Sequence, residues 1–303
     1  MHALPFLLAL LSAVVLAPAV LRTLAMGGHM RLNYRGRPLP FPFGVLIVAA
    51  ALIALIPLVL LARLASSEVF HPELLPIALY ALGVATLGLI DDTLGEARAG
   101  PSAASGAIEE SARPGGDALE GPARPAPRGW RGHARAALRG ELSTGTLKAA
   151  GSLGLALFAM SFEGLSKPGW LLAVGVLVLA TNVFNLLDLR PGRAIKAFVL
   201  LGAGLTLGSL DVRPLWSLGL FAAPALVAGL YDLRERAMLG DTGANLLGAL
   251  AGLWLVLTLS QSGQLIALAL LVAITLYGEL RSISGFVERT PGLRALDSFG
   301  RPS

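Results

Sequence analysis

The sequence predicts an all-α fold, a polytopic integral membrane helical bundle of about nine transmembrane helices, with the N-terminus outside and the C-terminus cytoplasmic. Three observations lead there. Hydrophobic residues make up 55% of the 303-residue chain and charged residues only 14%, where a soluble domain carries about 25% charged residues. Apolar stretches recur at lengths suited to about 30 Å of hydrocarbon. The basic residues, finally, fall almost entirely in alternate connections between those stretches.

The stretches run in order over 3–21, 43–62, 74–90, 149–161, 169–187, 197–210, 214–231, 243–260 and 263–280. The first reads as a retained helix. Ala17-Pro18-Ala19 imitates a cleavage site, but Arg22 follows the apolar run, whereas a signal peptide carries its positive charge in front. The fourth and sixth are short. Grouping the connections between spans 1–2, 3–4, 5–6 and 7–8 with the C-terminal tail places all but Arg63, Lys167 and Arg213 of the 24 Lys and Arg residues on one side. Cytoplasmic connections carry such an excess, which sets the orientation. The net charge of +5 is therefore a consequence of topology, and no nucleic-acid partner is expected. With no cysteine in the chain, neither disulfides nor thiol chemistry enters.

The connections are unequal. Residues 97–128 are rich in Ala, Gly, Pro, Ser and Arg without apolar periodicity, the pattern of a disordered insertion within a single membrane-embedded domain, 1–303. Order is expected to resume at 129–133, followed by a short basic surface helix over 133–140. Trp130 and Trp170 read as interfacial anchors, and His133 as a surface-helix residue. The loop 23–42 carries Asn33-Tyr34-Arg35-Gly36-Arg37-Pro38.

Acidic residues gather where spans end on the cytoplasmic side: Asp91 and Asp92 after the third, Asp188 after the fifth, Asp232 and Asp241 around the loop before the eighth. Lys148, Arg190, Arg193, Lys196, Arg234 and Arg236 lie among them. Charges collect in any cytoplasmic loop, but Asp91-Asp92 and Gly240-Asp241 abut apolar runs, where a solubilising charge is not needed. Carboxylates and cations at one lipid–water boundary suit a magnesium-bound phosphate or diphosphate. Mg²⁺ takes one or two carboxylates and completes its shell with water and phosphate oxygens, while Arg and Lys neutralise the remaining charge. The DDxxD pattern fails at Gly95, and neither a DGxxAR…GxxxD motif, a Walker A sequence nor HExxH is present.

Four ordered pieces spread along nearly the whole chain are similar to the motifs of the polyprenyl-phosphate N-acetylhexosamine-1-phosphate transferase family. Gly88-Leu89-Ile90-Asp91-Asp92 resembles its aspartate pair, Leu142-Ser143-Thr144-Gly145-Thr146-Leu147-Lys148 its lysine segment, Asn182-Val183-Phe184-Asn185-Leu186-Leu187-Asp188 its NxxNxxD signature, and Leu239-Gly240-Asp241-Thr242-Gly243 its GD[TS]G turn. The resemblance implies transfer of a sugar-1-phosphate from a UDP-sugar (a UDP-N-acetylhexosamine or UDP-MurNAc-peptide) to undecaprenyl phosphate, with release of UMP, for envelope polysaccharide. It implies catalytic roles for Asp91, Asp92 and Asp188, and Mg²⁺ (or Mn²⁺) on Asp91 and Asp241. Substrate contacts would come from Lys148, Asn182, Asn185, Arg190, Arg193, Gly240 and Thr242. Implied partners are the polyprenyl phosphate, the UDP-sugar and membrane lipids, with homodimerisation allowed. The implied location is the bacterial cytoplasmic membrane, with the site on its cytoplasmic face.

The departures bear on activity. Where the family continues as DGxDG, this chain reads Asp188-Leu189-Arg190-Pro191-Gly192, with Pro191 at the second acid. Its histidines are His2, His29, His71 and His133, so no His-rich motif follows the ninth span. A direct attack by lipid phosphate tolerates the loss at Pro191; a route using that acid as covalent nucleophile does not. A non-catalytic relative that binds polyprenyl phosphate or diphosphate, and a transporter, are the alternatives.

Overall fold

The computed structural model describes residues 2–66, 68–98 and 144–302. Most of the expected insertion at 97–128, the order expected at 129–133, the surface helix at 133–140, Trp130 and His133 lie outside the described residues. The chain is a helical bundle: α1 (Leu4–Met26), α2 (Val45–Leu64), α3 (Leu74–Arg98), α4 (Thr144–Met160), α5 (Lys167–Leu187), α6 (Arg193–Ser209), α7 (Arg213–Ser217), α8 (Gly219–Leu233), α9 (Gly240–Thr258), α10 (Gln261–Leu280), α11 (Ile283–Arg289) and α12 (Pro291–Ser298). Among the described residues six helices (α1, α2, α3, α5, α9 and α10) are long and apolar enough to cross a membrane. The expected spans at 149–161 and 197–210 appear as α4 and α6, each of 17 residues. That at 214–231 is divided between α7 and α8, breaking at Leu218, where Gly219 lies directly against Phe6 of α1.

Local chemistry sets several helix starts. Ser166, Ser260 and Ser282 each accept a hydrogen bond from a backbone N–H three residues on, capping α5, α10 and α11, as N-cap serines do. Helix α9 lies at the centre, 83% of its apolar window buried against 11% for α10. It packs on α3 and α5, and the α5 contact is close because Gly248 and Gly252, four apart, present no side chain. A Cβ on Gly248 would stand 2.6 Å from the Thr181 Cα. Small-xxx-small spacing of this kind lets helix backbones approach in a membrane. Exposed Leu, Ile and Val side chains on α1, α2 and α10 face outward, as lipid-facing surfaces require.

One element departs from the all-α expectation. The first loop folds into an antiparallel hairpin of β1 (Met30–Leu32) and β2 (Pro38–Pro40), with Arg31 opposite Leu39. Its turn is held by the Asn33 side-chain oxygen, which accepts from the Arg35 and Arg37 N–H groups. Three-residue strands containing two prolines carry too little periodicity to be read as strands.

The tail is helical and docked on the bundle. Asp297 of α12 accepts paired hydrogen bonds from Arg193 at 2.9 and 3.0 Å and also pairs with Arg301. Lys196 donates to the Leu296 and Asp297 carbonyls, and Arg301 to the Pro191 carbonyl at 2.7 Å. The tail is thus clamped over the start of α6. Burial alone would raise the Asp297 carboxyl, but hydrogen bonds from Arg193 and Arg301 prevail and hold it below its ordinary value. The pair stabilises the docked tail in full above the unfolded carboxylate value of about 3.9. That contribution is lost as pH falls through the lower folded value. Asp297→Asn is expected to lower amide-exchange protection factors over 283–302 about tenfold at neutral pH, and acidification through the lowered Asp297 value to do the same in the wild type.

Candidate functional site

The connections after α1, α5, α8 and α10 meet at one end of the bundle, linked by contacts such as Arg35 with the Pro302 carbonyl and Arg190 with Glu288. At that end the last turn of α3, the first turns of α4 and the N-terminus of α9 converge. Lys148 Nζ donates to Asp91 Oδ2 at 3.0 Å and also to Asp241 Oδ2. Two carboxylates far apart in sequence thus meet at one ammonium. Their side chains are 20% and 29% exposed, and that of Lys148 is 18% exposed, so the cluster is sheltered yet open to water. Thr144, one turn before Lys148 on the same helix, also favours the ionised Asp91 carboxyl.

Asp92 points the other way. Its carboxylate accepts the Asp241 N–H at 2.9 Å, the Thr242 N–H at 2.8 Å and the Thr242 hydroxyl at 2.6 Å. It is 4% exposed and caps α9 from a different helix, where a negative charge is favoured by unpaired N–H groups and the helix dipole. The turn it caps is held from behind as well: the Phe43 and Gly44 N–H groups donate to the Met238 and Leu239 carbonyls, and Met238 N–H to Pro40. Gly240 adopts a left-handed φ of +71° between Asp92 and Phe41, and a Cβ there would stand 2.8 Å from the Asp92 Oδ2. A side chain at 240 would collide with the cap that positions Asp241. Gly88 allows α3 and α9 to approach this closely, since its Cβ would meet the Asp241 carbonyl at 2.5 Å.

Asp188, at the C-cap of α5, lies beside this cluster. Burial pushes its carboxyl well above the ordinary value, and the nearby Asp232, Asp241 and Asp92 push it further. Arg31 of the hairpin, whose guanidinium stacks 4.7 Å from the Phe41 ring centroid, opposes that shift. Asp232, by contrast, is a brace: buried, it accepts the Gly192 N–H at 2.6 Å and fixes the loop between α5 and α6.

The sequence-derived candidates thus divide. Asp91, Lys148 and Asp241 are in direct contact, with Asp92, Gly240 and Thr242 forming the capped turn beneath them and Asp188 coupled electrostatically. Asn182 donates to Thr275 of α10 at 3.2 Å, a bond between helices. Asn185 lies one turn further along α5, half-buried, its carbonyl accepting the Asp188 N–H. Arg193 is 6% exposed and held by Asp297 and Ser284. Arg190 pairs with Glu288 and stacks 4.4 Å from the Tyr34 ring centroid. Neither arginine touches the carboxylate cluster.

Sequence reasoning passed over Thr144 and Arg31. The four-residue spacing from Thr144 to Lys148 was a usable signal; Arg31 carried none, because the hairpin that brings it near was not read. It also passed over Glu235, buried against Asn33, Tyr34 and Arg35, which fastens the hairpin to the loop before α9.

Among the described residues, no group of three or more His, Asp or Glu side chains is arranged to hold a metal ion by itself. Two carboxylates meeting at one cation nonetheless fit Mg²⁺, a hard ion content with one or two carboxylates when phosphate and water oxygens complete its shell. No protein-family model matches the chain, and no curated protein matches it.

Proposed function

We propose that the chain is a multi-pass phosphotransferase of the bacterial cytoplasmic membrane. It would move a sugar-1-phosphate from a UDP-sugar to undecaprenyl phosphate at its cytoplasmic face, with release of UMP. The observation that carries this reading is the convergence of Asp91 and Asp241 on Lys148 at the end of the bundle where the charged loops gather. In this reading α4, α6 and α8 complete nine spans with the six longer helices, and the hairpin, the capped α9 turn and the tail are cytoplasmic.

The chemistry asks little of a general base. A phosphate monoester carries about −1.5 to −2 charge at neutral pH and is itself the nucleophile. Its oxygen forms a bond to the sugar-bearing phosphorus of the UDP-sugar, the bond from that phosphorus to UMP breaks, and UMP leaves with the electron pair. The obstacle is two anions meeting, so catalysis is positioning and charge neutralisation. A magnesium ion on Asp91 and Asp241 would supply that neutralisation. Lys148 binds a phosphate oxygen, Asp92 holds the turn that aims Asp241, and Arg31 supplies a further positive charge at the mouth. Arg190 and Arg193, engaged by Tyr34, Glu288 and Asp297, position the tail and the Asp188–Gly192 segment instead of the diphosphate.

That engagement, together with Pro191, favours as second reading a relative that binds polyprenyl phosphate without turnover. UMP release by the purified protein with undecaprenyl phosphate, Mg²⁺ and a panel of UDP-sugars decides between them. Metal-dependent release supports the transferase. No release with any sugar, alongside retained lipid-phosphate binding, leaves the binding protein, and solute uptake into proteoliposomes would favour a transporter.

A further inference from the structure

The point where Asp91 and Asp241 converge already holds a cation of the protein's own, the Lys148 ammonium. Two ionised carboxylates carry two negative charges and the ammonium returns one. Asp92 adds negative potential beside them, opposed in part by Arg31. The pair is therefore undercompensated by lysine and better matched by a divalent ion, whose hard-oxygen preference these ligands meet. The Lys148 ammonium sits between the Oδ2 atoms of both carboxylates, the position an ion shared by the pair would take, and two cations cannot occupy it together.

Lys148 is able to yield. An ammonium on a flexible four-carbon stem is a mobile point charge. It sits in the second turn of α4, with its neighbours Leu147 and Ala149 exposed. We infer that Lys148 and a divalent cation exclude each other at the Asp91–Asp241 pair. The lysine is an internal counter-ion that keeps the two carboxylates, and hence α3, α4 and α9, together. Cation entry drives its ammonium outward, where it is free to take an anionic phosphate oxygen. Loading of the metal and presentation of the phosphate-binding lysine become one event. The inference rests on the metal reading of this site.

The chain has three lysines, Lys148, Lys167 and Lys196, which makes a direct test practical on the full-length wild-type protein. Lysine acylation by an amine-reactive ester, mapped by mass spectrometry, is measured with and without Mn²⁺, while Mn²⁺ binding is followed by loss of the free-ion paramagnetic signal. Acylation of Lys148 is expected to rise about fivefold or more as Mn²⁺ saturates, with Lys167 and Lys196 unchanged as internal references. Lys148→Met is expected to bind Mn²⁺ at least about tenfold more tightly, since one positive charge a few ångströms away is removed. Unchanged Lys148 acylation at saturating Mn²⁺, or weaker binding by Lys148→Met, overturns the exclusion and leaves the metal site standing. No Mn²⁺ binding, or binding that Asp241→Asn leaves intact, overturns the metal reading and this inference with it.

Discussion

Asp241→Asn is expected to lower metal-dependent UMP release by about a thousandfold while leaving the fold in place. The size follows from what a transfer between two anions needs: losing one preorganised electrostatic contact at a reacting centre costs on the order of 10²–10³ in rate. Here the lost charge is also one of two carboxylates proposed to hold the ion. The amide occupies the same volume, and the Asp241 backbone N–H keeps its bond to Asp92, so the α9 turn has no reason to move. Lys148 keeps Asp91 as its partner. The pairing of measurements is what makes the outcome informative. Release that survives Asp241→Asn, in a protein whose thermal unfolding is unchanged, removes Asp241 from the reaction.

Asp92→Ala is the second large effect, and it falls on stability. Three donors lose their acceptor together: the Asp241 N–H, the Thr242 N–H and the Thr242 hydroxyl. Each buried donor left unpaired costs about 1–3 kcal/mol, and these are not additive. A total of about 3–5 kcal/mol is expected, comparable with removing one partner from a buried ionic contact. Asp92→Asn keeps one acceptor oxygen and should lose about half as much. Thermal unfolding in detergent should therefore order wild type above Asp92→Asn above Asp92→Ala, spanning roughly 10 °C. Equal unfolding temperatures would mean that Asp92 does not hold the α9 turn.

The two variants separate neighbours that look alike in sequence. Asp91 and Asp92 are adjacent on α3, and consecutive residues on a helix point about 100° apart. One faces Lys148 and the other faces the α9 N-terminus. From the sequence both read as site carboxylates; their partners, in α4 and α9, are what distinguish them.

Legibility followed the range of the interactions involved. Helical class and the positions of the long apolar helices were readable because lipid transfer acts residue by residue, so length and composition suffice. The acidic ends of α3, α5 and α9 were readable for the same reason, since a carboxylate abutting an apolar run is conspicuous wherever the chain goes. The turn at Gly240 was marked by its neighbours Asp241 and Thr242, although its left-handed backbone was visible only in the fold.

What the tertiary structure decided were partners. Arg193 looked available to a diphosphate and is held by Asp297, over a hundred residues later. Asp232 looked like one more site carboxylate and instead braces Gly192. Asp91 and Asp241 lie on helices whose contact depends on Gly88 and on the cap from Asp92. By itself the sequence determined a helical membrane chain with acidic helix ends. Which of those acids share a cation and which brace a turn depends on close packing between helices distant in sequence, and no local pattern encodes that.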